Sequence, residues 1–301
     1  MTHFYVGQMF FSADPPIEIS EDEYNAALAA VQSLLHALDA EEKYDNLLEN
    51  YRELEEFILS QSFQSLLSIR IAYASHFQAP RSTTARKLAN FLSSVRLYQD
   101  SIERHAVAIT GDESVGPAVH REKSRQFDSR QSYRTLEALR NHAQHFALPV
   151  HGFTVGMRRT PDLEHTEHEF SPEIQVDELA QNPGFHPKKT LVELQAGPNK
   201  LKLKPMVREY IESLSAVHEQ FRALTASATE KQLEIFRELK SRLFFRNPGI
   251  QDIAIGVFQA DDEGIKIGEQ TNLSATLPDY LSQLREKNSH LVSFASRRIT
   301  Y

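Results

Sequence analysis

Apolar residues recur every three or four positions along most of this chain, so helices dominate its predicted layout. The exception at the start is residues 3–12, whose near-continuous apolar run predicts a strand ending at Asp14-Pro15-Pro16. Ser20, with Glu23 three residues later, has the form of a capping box. Leu28, Val31, Leu34, Leu35 and Leu38 then follow at helical spacing. A second helix is predicted over about 43–61, through Tyr44, Leu47, Leu48, Tyr51, Leu54 and Ile58, with a further helical piece around 63–76. Pro80 punctuates, and Ser82-Thr83-Thr84 offers a new N-cap. The clearest amphipathic stretch is 84–109, where Leu88, Phe91, Leu92, Val95, Tyr98, Ile102, Ala106 and Ile109 share a face. Gly111-Asp112 and Gly116-Pro117 mark a loop, and the next helix runs from about 118 to 147, stopping before Pro149. Two long antiparallel helices joined by a short loop make a helical hairpin.

The pattern changes after Pro149. Residues 151–159 and 168–177 read as strands around the turn Thr160-Pro161-Asp162, and 190–196 as another strand after the turn Asn182-Pro183-Gly184. Helical periodicity returns over 205–244, as two helices broken near 225–229, and Asn247-Pro248-Gly249 ends it. Ile253 to Phe258 and Ile265 to Ile267, around Ala260-Asp261-Asp262-Glu263-Gly264, read as a hairpin. A helix near 277–288 and a strand near 291–295 complete the chain. The fold class is therefore α+β: a helical domain over 1–150, its core at about 84–150, followed by a β-containing region over 151–301.

Composition narrows the chemistry. Cysteine is absent, which excludes disulfides and thiolate nucleophiles and fits a reducing compartment. The start of the chain lacks a basic leader, and no stretch approaches the roughly 18 to 20 apolar residues of a membrane helix. The expected location is cytoplasmic, with no membrane partner. The formal net charge of -8 at first argues against a nucleic-acid partner. Its distribution reverses that: residues 1–60 hold 13 Asp/Glu against two Lys/Arg, whereas 61–160 hold 14 basic against 7 acidic side chains. Screening confines each charge to about 8–10 Å, so the local balance is what a polyanion meets.

On a helical wheel, Leu136, Leu139, Ala143 and Phe146 fall within a sector of about 80°, the predicted packing face. Arg130, Arg134, Glu137, Asn141 and His145 form a stripe roughly opposite, with Arg140 and Gln144 beside it. Arginine presents a fork of donors that suits phosphate oxygens, and histidine moves protons near neutral pH. Asn141 lies one turn before His145 and is placed to hold it. Together such groups can bind a scissile phosphate, activate a ribose 2′-hydroxyl and stabilise developing charge without a metal. Without that role, the same stripe reads as a solvated helix surface. His142 lies toward the apolar side and reads as a core-edge residue.

Arg140-Asn141-His142-Ala143-Gln144-His145 resembles the R-x4–6-H signature of the HEPN superfamily, including the polar residue that often follows the arginine. The stretch 84–150, about a quarter of the chain, is similar to the HEPN helical core. The resemblance implies a homodimer with an Arg and a His from each subunit in one composite cleft. It also implies metal-independent endoribonuclease activity that leaves a 2′,3′-cyclic phosphate, with no cofactor. Active members of the superfamily are RNA-targeting effectors of toxin–antitoxin, abortive-infection and CRISPR-associated systems, so an antitoxin or regulatory partner is expected. Arg140 would bind the phosphate, His145 would act on the 2′-hydroxyl or position the RNA, and Asn141 would support either. Arg130, Arg134, Glu137 and Gln144 are weaker RNA-binding candidates from the wheel, as are Arg86, Asn90 and Ser94 on the preceding helix. The alternative is a non-catalytic HEPN-like adaptor that binds RNA, a nucleotide or a protein.

Other chemistry is thinly represented. His142 and His145 form an H-x-x-H pair, and Glu164, His165, Glu167, His168 and Glu169 a His/Glu cluster. The pair lacks a third ligand nearby, and alternation along a strand would split the cluster between two faces, so no metal site is expected. The P-loop, dinucleotide, zincin and nucleophile-elbow motifs are all absent. Gly197 to Lys204 reads as a basic turn.

Overall fold

Ser20 opens the first helix as its capping box predicts. The Glu23 amide donates to the Ser20 hydroxyl at 3.2 Å, and the Ser20 amide donates to the Glu23 carboxylate at 2.8 Å. The computed structural model describes residues 2–9, 14–67, 75–252, 254–273 and 276–297. It mixes helix with two small antiparallel sheets, which agrees with the α+β class. In order along the chain the elements are β1 (His3–Gln8), β2 (Ile17–Ile19), α1 (Glu21–Leu67), α2 (Ser75–Gln99), α3 (Ile102–Thr110), α4 (Val115–Ser129) and α5 (Gln131–His145). They continue with β3 (Gly152–Arg159), β4 (Thr166–Gln175), α6 (Val176–Ala180), α7 (Lys188–Gln195), β5 (Lys200–Lys202), α8 (Leu203–Arg246), β6 (Ile255–Ala260), β7 (Lys266–Asn272) and α9 (Thr276–Lys287).

Several expectations change. The two helices predicted over 20–61 are one helix, α1, because the polar run that seemed to divide them is partly buried. Glu41 is fully buried there, where Arg222 grips both its oxygens at 3.0 and 2.6 Å and Arg285 donates to it at 3.1 Å. α8 is likewise continuous through 225–229, since Thr225 and Thr229 turn their hydroxyls back onto the carbonyls of Phe221 and Thr225. Pro80 lies inside α2 rather than ahead of it, at the sixth residue of the helix, where it forgoes one bond of the ladder. Conversely, the two long helices expected over 84–147 are four. Asp100-Ser101 separates α2 from α3, Gly111 in the left-handed region (φ 69°) ends α3, and Gly116-Pro117 starts α4 instead of lying in a loop. Residues 190–195 of the strand expected over 190–196 are helical in α7, where Thr190, Leu191 and Leu194 bury at helical spacing. Residues 294–296 form a 3-10 turn where a strand was expected. Residues 10–12 of the first predicted strand, 68–74 of the piece around 63–76, and Ile253 lie outside the described residues.

The chain divides into two compact units, and each draws residues from both sides of residue 150. The first comprises Met1–Glu42, Ser101–Val119 and Gln220–Ser289. Its sheet has the order β2-β1-β6-β7, all antiparallel, with Val6 facing Val257 across the central pair. Both valines are fully buried, as are Leu34, Ala106 and Phe221. The second comprises Lys43–Asp100, His120–Glu219 and His290–Tyr301, with the sheet order β3-β4-β5. There α2 packs on α5, and Leu88, Phe91, Leu136, Leu139 and Ile211 are fully buried. Among the described residues no helix is long and apolar enough to cross a membrane.

Removing the Glu41 carboxylate leaves two arginines facing each other in the interior of the first unit. Glu41→Ala is expected to destabilise the protein by about 3–5 kcal/mol. Urea unfolding followed by circular dichroism reads this directly, and a loss below about 1 kcal/mol would show that the cluster contributes little.

Candidate functional site

The segment that carries the motif starts at an abrupt break. Arg130 is extended (φ -122°, ψ 114°) between α4 and α5, although no glycine or proline lies near it. Arg134, one turn into α5, accounts for the geometry. One of its terminal nitrogens donates to the carbonyls of Phe127 and Asp128, at 2.7 and 2.8 Å, and so caps the open end of α4. Its other two nitrogens grip Glu193 of α7 at 3.1 and 2.7 Å. A single guanidinium thereby ties α4, α5 and α7 together.

Beside this clasp, α4, α5 and the end of α2 line a cleft of about 480 Å³ within the second unit. Arg140, Asn141 and Glu137 line it from α5, His120, Lys123, Phe127 and Asp128 from α4, and Arg96 and Gln99 from the end of α2. His186 and Pro187, which lead into α7, close another side. Three cationic side chains and two imidazoles thus face two carboxylates. Arg140 donates to the Asn141 carbonyl oxygen at 2.6 Å, while its Nε is buried with no hydrogen-bond partner. Behind them, Gln99 donates to the hydroxyls of Tyr133 (2.7 Å) and Tyr210 (3.4 Å), and the Tyr210 hydroxyl donates to Glu137. Burial, reinforced by the nearby Glu137 charge, pushes both tyrosines well above the usual phenol range, so both stay protonated. This network fixes the Glu137 carboxylate from below.

The predicted site residues separate into groups. Arg140, Asn141 and Glu137 come together at the cleft. His145, in the last turn of α5, is exposed and does not line it, nor does the exposed Gln144. Arg134 is occupied as the clasp, and Arg130 pairs with Glu212 at 3.1 Å. Arg86 and Asn90 are exposed away from the lining, and Ser94 is buried with its hydroxyl on the Phe91 carbonyl. The packing face also shifts: Ser132, Tyr133, Thr135, Leu136, Ala138, Leu139 and His142 are buried, whereas Phe146 is 51% exposed. Sequence reasoning missed His120, Lys123, Arg96 and His186. His120, Lys123 and Phe127 do share a helical face, and that is the one signal that could have found them.

His142 is buried as expected, and its partner fixes its tautomer. The Asn182 carbonyl oxygen accepts the Gly184 amide at 2.9 Å, which turns the Asn182 amide nitrogen toward His142 Nδ1 at 3.1 Å. Nδ1 is therefore the acceptor, and the proton sits on the buried Nε2. Burial, and secondarily His151, lower its pKa. Elsewhere, Glu167 and Glu169 of the His/Glu run pair with Arg158 (2.6 Å) and Lys202 (3.4 Å). The basic turn is β5 and the start of α8, where Lys200 meets Glu173 at 3.5 Å and Lys204 meets Glu55 at 3.3 Å.

No protein-family model matches the chain, and comparisons with curated proteins and with solved structures give no match.

Two outcomes follow from this geometry. Arg134→Ala removes a half-sheltered charge that holds three helices, and is expected to cost about 3 kcal/mol in urea unfolding, a loss that a merely solvated arginine would not produce. His142 is held neutral in the fold, while the unfolded chain protonates it below its ordinary 6.5. Its contribution is thus fully present above about pH 6.5 and lost as pH falls below that value. His151, also depressed by burial, acts in the same window. His142→Gln should flatten part of the stability loss below about pH 6.5. An unchanged pH profile would remove His142 from that role.

Proposed function

We propose that this chain is a HEPN-like, metal-independent endoribonuclease whose phosphate-binding group is Arg140. The observation that carries the reading is the meeting of Arg140 and Asn141, neighbours in the R-x4–6-H motif, with Lys123 and two histidines in one cleft. Arg140 lines the cleft, where its guanidinium fork suits a phosphate oxygen. In the reaction the ribose 2′-oxygen attacks phosphorus and loses its proton to a base. The bond to the 5′-oxygen breaks, that oxygen takes up a proton, and a 2′,3′-cyclic phosphate and a 5′-hydroxyl remain. Imidazoles suit both proton transfers. The dimer that the resemblance implies would bring His145 to the phosphate from the partner subunit, and RNA is the expected substrate. A toxin or phage-defence effector with such activity would work under an antitoxin or regulatory protein.

A second reading has its own support. His145 does not line the cleft, and Arg140 already donates to Asn141, an arrangement that suits an adaptor binding RNA or a nucleotide without cutting it.

RNA cleavage in EDTA separates them. Native protein should leave 2′,3′-cyclic phosphate ends, while Arg140→Ala and His145→Ala should each lose about a hundredfold or more in rate. His120→Ala in the same assay reports whether a cleft histidine carries a proton. Equal cleavage by native protein, Arg140→Ala and His145→Ala would sink the assignment. RNA binding that depends on Arg140, without cleavage, would establish the adaptor.

A further inference from the structure

The acidic first 60 residues play no part in an RNA cleft, and some of their carboxylates line a groove in the first unit. β7 is an edge strand, paired with β6 on one side. Its last residues, Gln270, Thr271 and Asn272, form one wall of a hollow of about 800 Å³ between α1 and α9. At Leu35 and Leu38 this hollow runs into a second of about 350 Å³. Leu35 and Tyr280 stand 45% and 43% exposed on the walls, so the floor offers apolar surface to a partner. Asp39, Glu42 and Asp279 line the same groove, and no lysine or arginine does among the described residues. Asp39 meets His105 at 3.1 Å yet keeps its side chain 47% exposed.

We propose that this groove docks an extended, basic segment of a partner protein, which adds to the β7 edge as a further strand. An edge strand presents unpaired backbone donors and acceptors that such a segment satisfies. Side chains of a strand alternate between two faces. Apolar residues on the inward face of the segment would therefore sit against Leu35, Leu38 and Tyr280, and its lysines or arginines, whose long stems reach back to the rim, would lie within screening distance of Asp39, Glu42 and Asp279. The charge selects among occupants. A second copy seated edge to edge would bring two acidic grooves together, and a nucleic acid would be repelled. This inference does not rest on the ribonuclease reading.

The test uses the full chain and two fluorescein-labelled octapeptides, one of alternating leucine and lysine, the other of alternating leucine and glutamate. Fluorescence anisotropy should show the lysine peptide binding at about 10–100 μM, weakening as salt rises, and the glutamate peptide binding at least about tenfold less tightly. Leu35→Lys and Glu42→Lys, both at exposed positions, should each weaken the lysine peptide about tenfold while leaving thermal unfolding unchanged. Hydrogen exchange should slow at 270–272 when that peptide is bound. Failure to bind up to about 1 mM overturns the proposal, as does equal binding of both peptides or indifference to both substitutions. Self-association of the chain that Leu35→Lys abolishes would also overturn it, by showing that a second copy occupies the groove.

Discussion

The cleft depends on one guanidinium. Arg134 bonds two carbonyls at the end of α4 and both oxygens of Glu193, so the two helices that form most of the cleft wall, α4 and α5, are tied to α7 by a single side chain. Helix ends leave carbonyls unsatisfied, and the half-exposed Glu193 carboxylate offers a fork for the rest of the guanidinium. Arg134 meets both at once, which explains how a helix can stop and restart at Arg130 with no glycine or proline to break it. The restart sets the angle of α5, and that angle turns Arg140 and Asn141 toward His120, Lys123 and His186. Arg134, a weaker RNA-binding candidate in the sequence, is in the fold the joint between these helices.

The same economy of polar groups explains which elements could be read from the sequence. Hairpins with polar turns were legible: β3–β4 around Thr160-Pro161-Asp162 and β6–β7 around 260–264 both form, because turn chemistry is local. Helix boundaries failed where a distant partner decides. Asp39 to Lys43 looks like a solvated gap until Arg222 and Arg285 are seen closing on Glu41 from more than 180 residues away. The break at Arg130 fails in the opposite sense, since the apolar rhythm runs across it and only the bonds of Arg134 mark it.

The candidate site divides along the same line. Arg140 and Asn141 are adjacent in the chain, so a motif could find them. Their companions come from α2, α4 and the approach to α7, and no spacing announces that they converge. The wheel also assumed one buried arc centred on leucines. Instead α5 buries Ser132, Tyr133, Thr135 and His142 as well, because its neighbours surround it more closely than a two-helix hairpin would. The buried polar residues are satisfied by particular partners, such as Asn182 on His142, and these set which face remains for the cleft.

A net charge of -8 therefore describes neither surface of this protein. Its acidic residues concentrate before residue 60, and its basic excess lies between 61 and 160. Screening limits each charge to about 8–10 Å, so a ligand responds to the walls of the groove it enters and not to the total. Arg140 and Lys123 bring positive charge to the cleft of the second unit, while Arg96 is paired with Asp100 and Glu137 and Asp128 temper the rest. Asp39, Glu42 and Asp279 make the groove of the first unit repellent to phosphate and attractive to lysine and arginine. Two clefts of opposite sign on one chain would thus not compete for the same partners, since the charge that recruits a ligand to one would exclude it from the other.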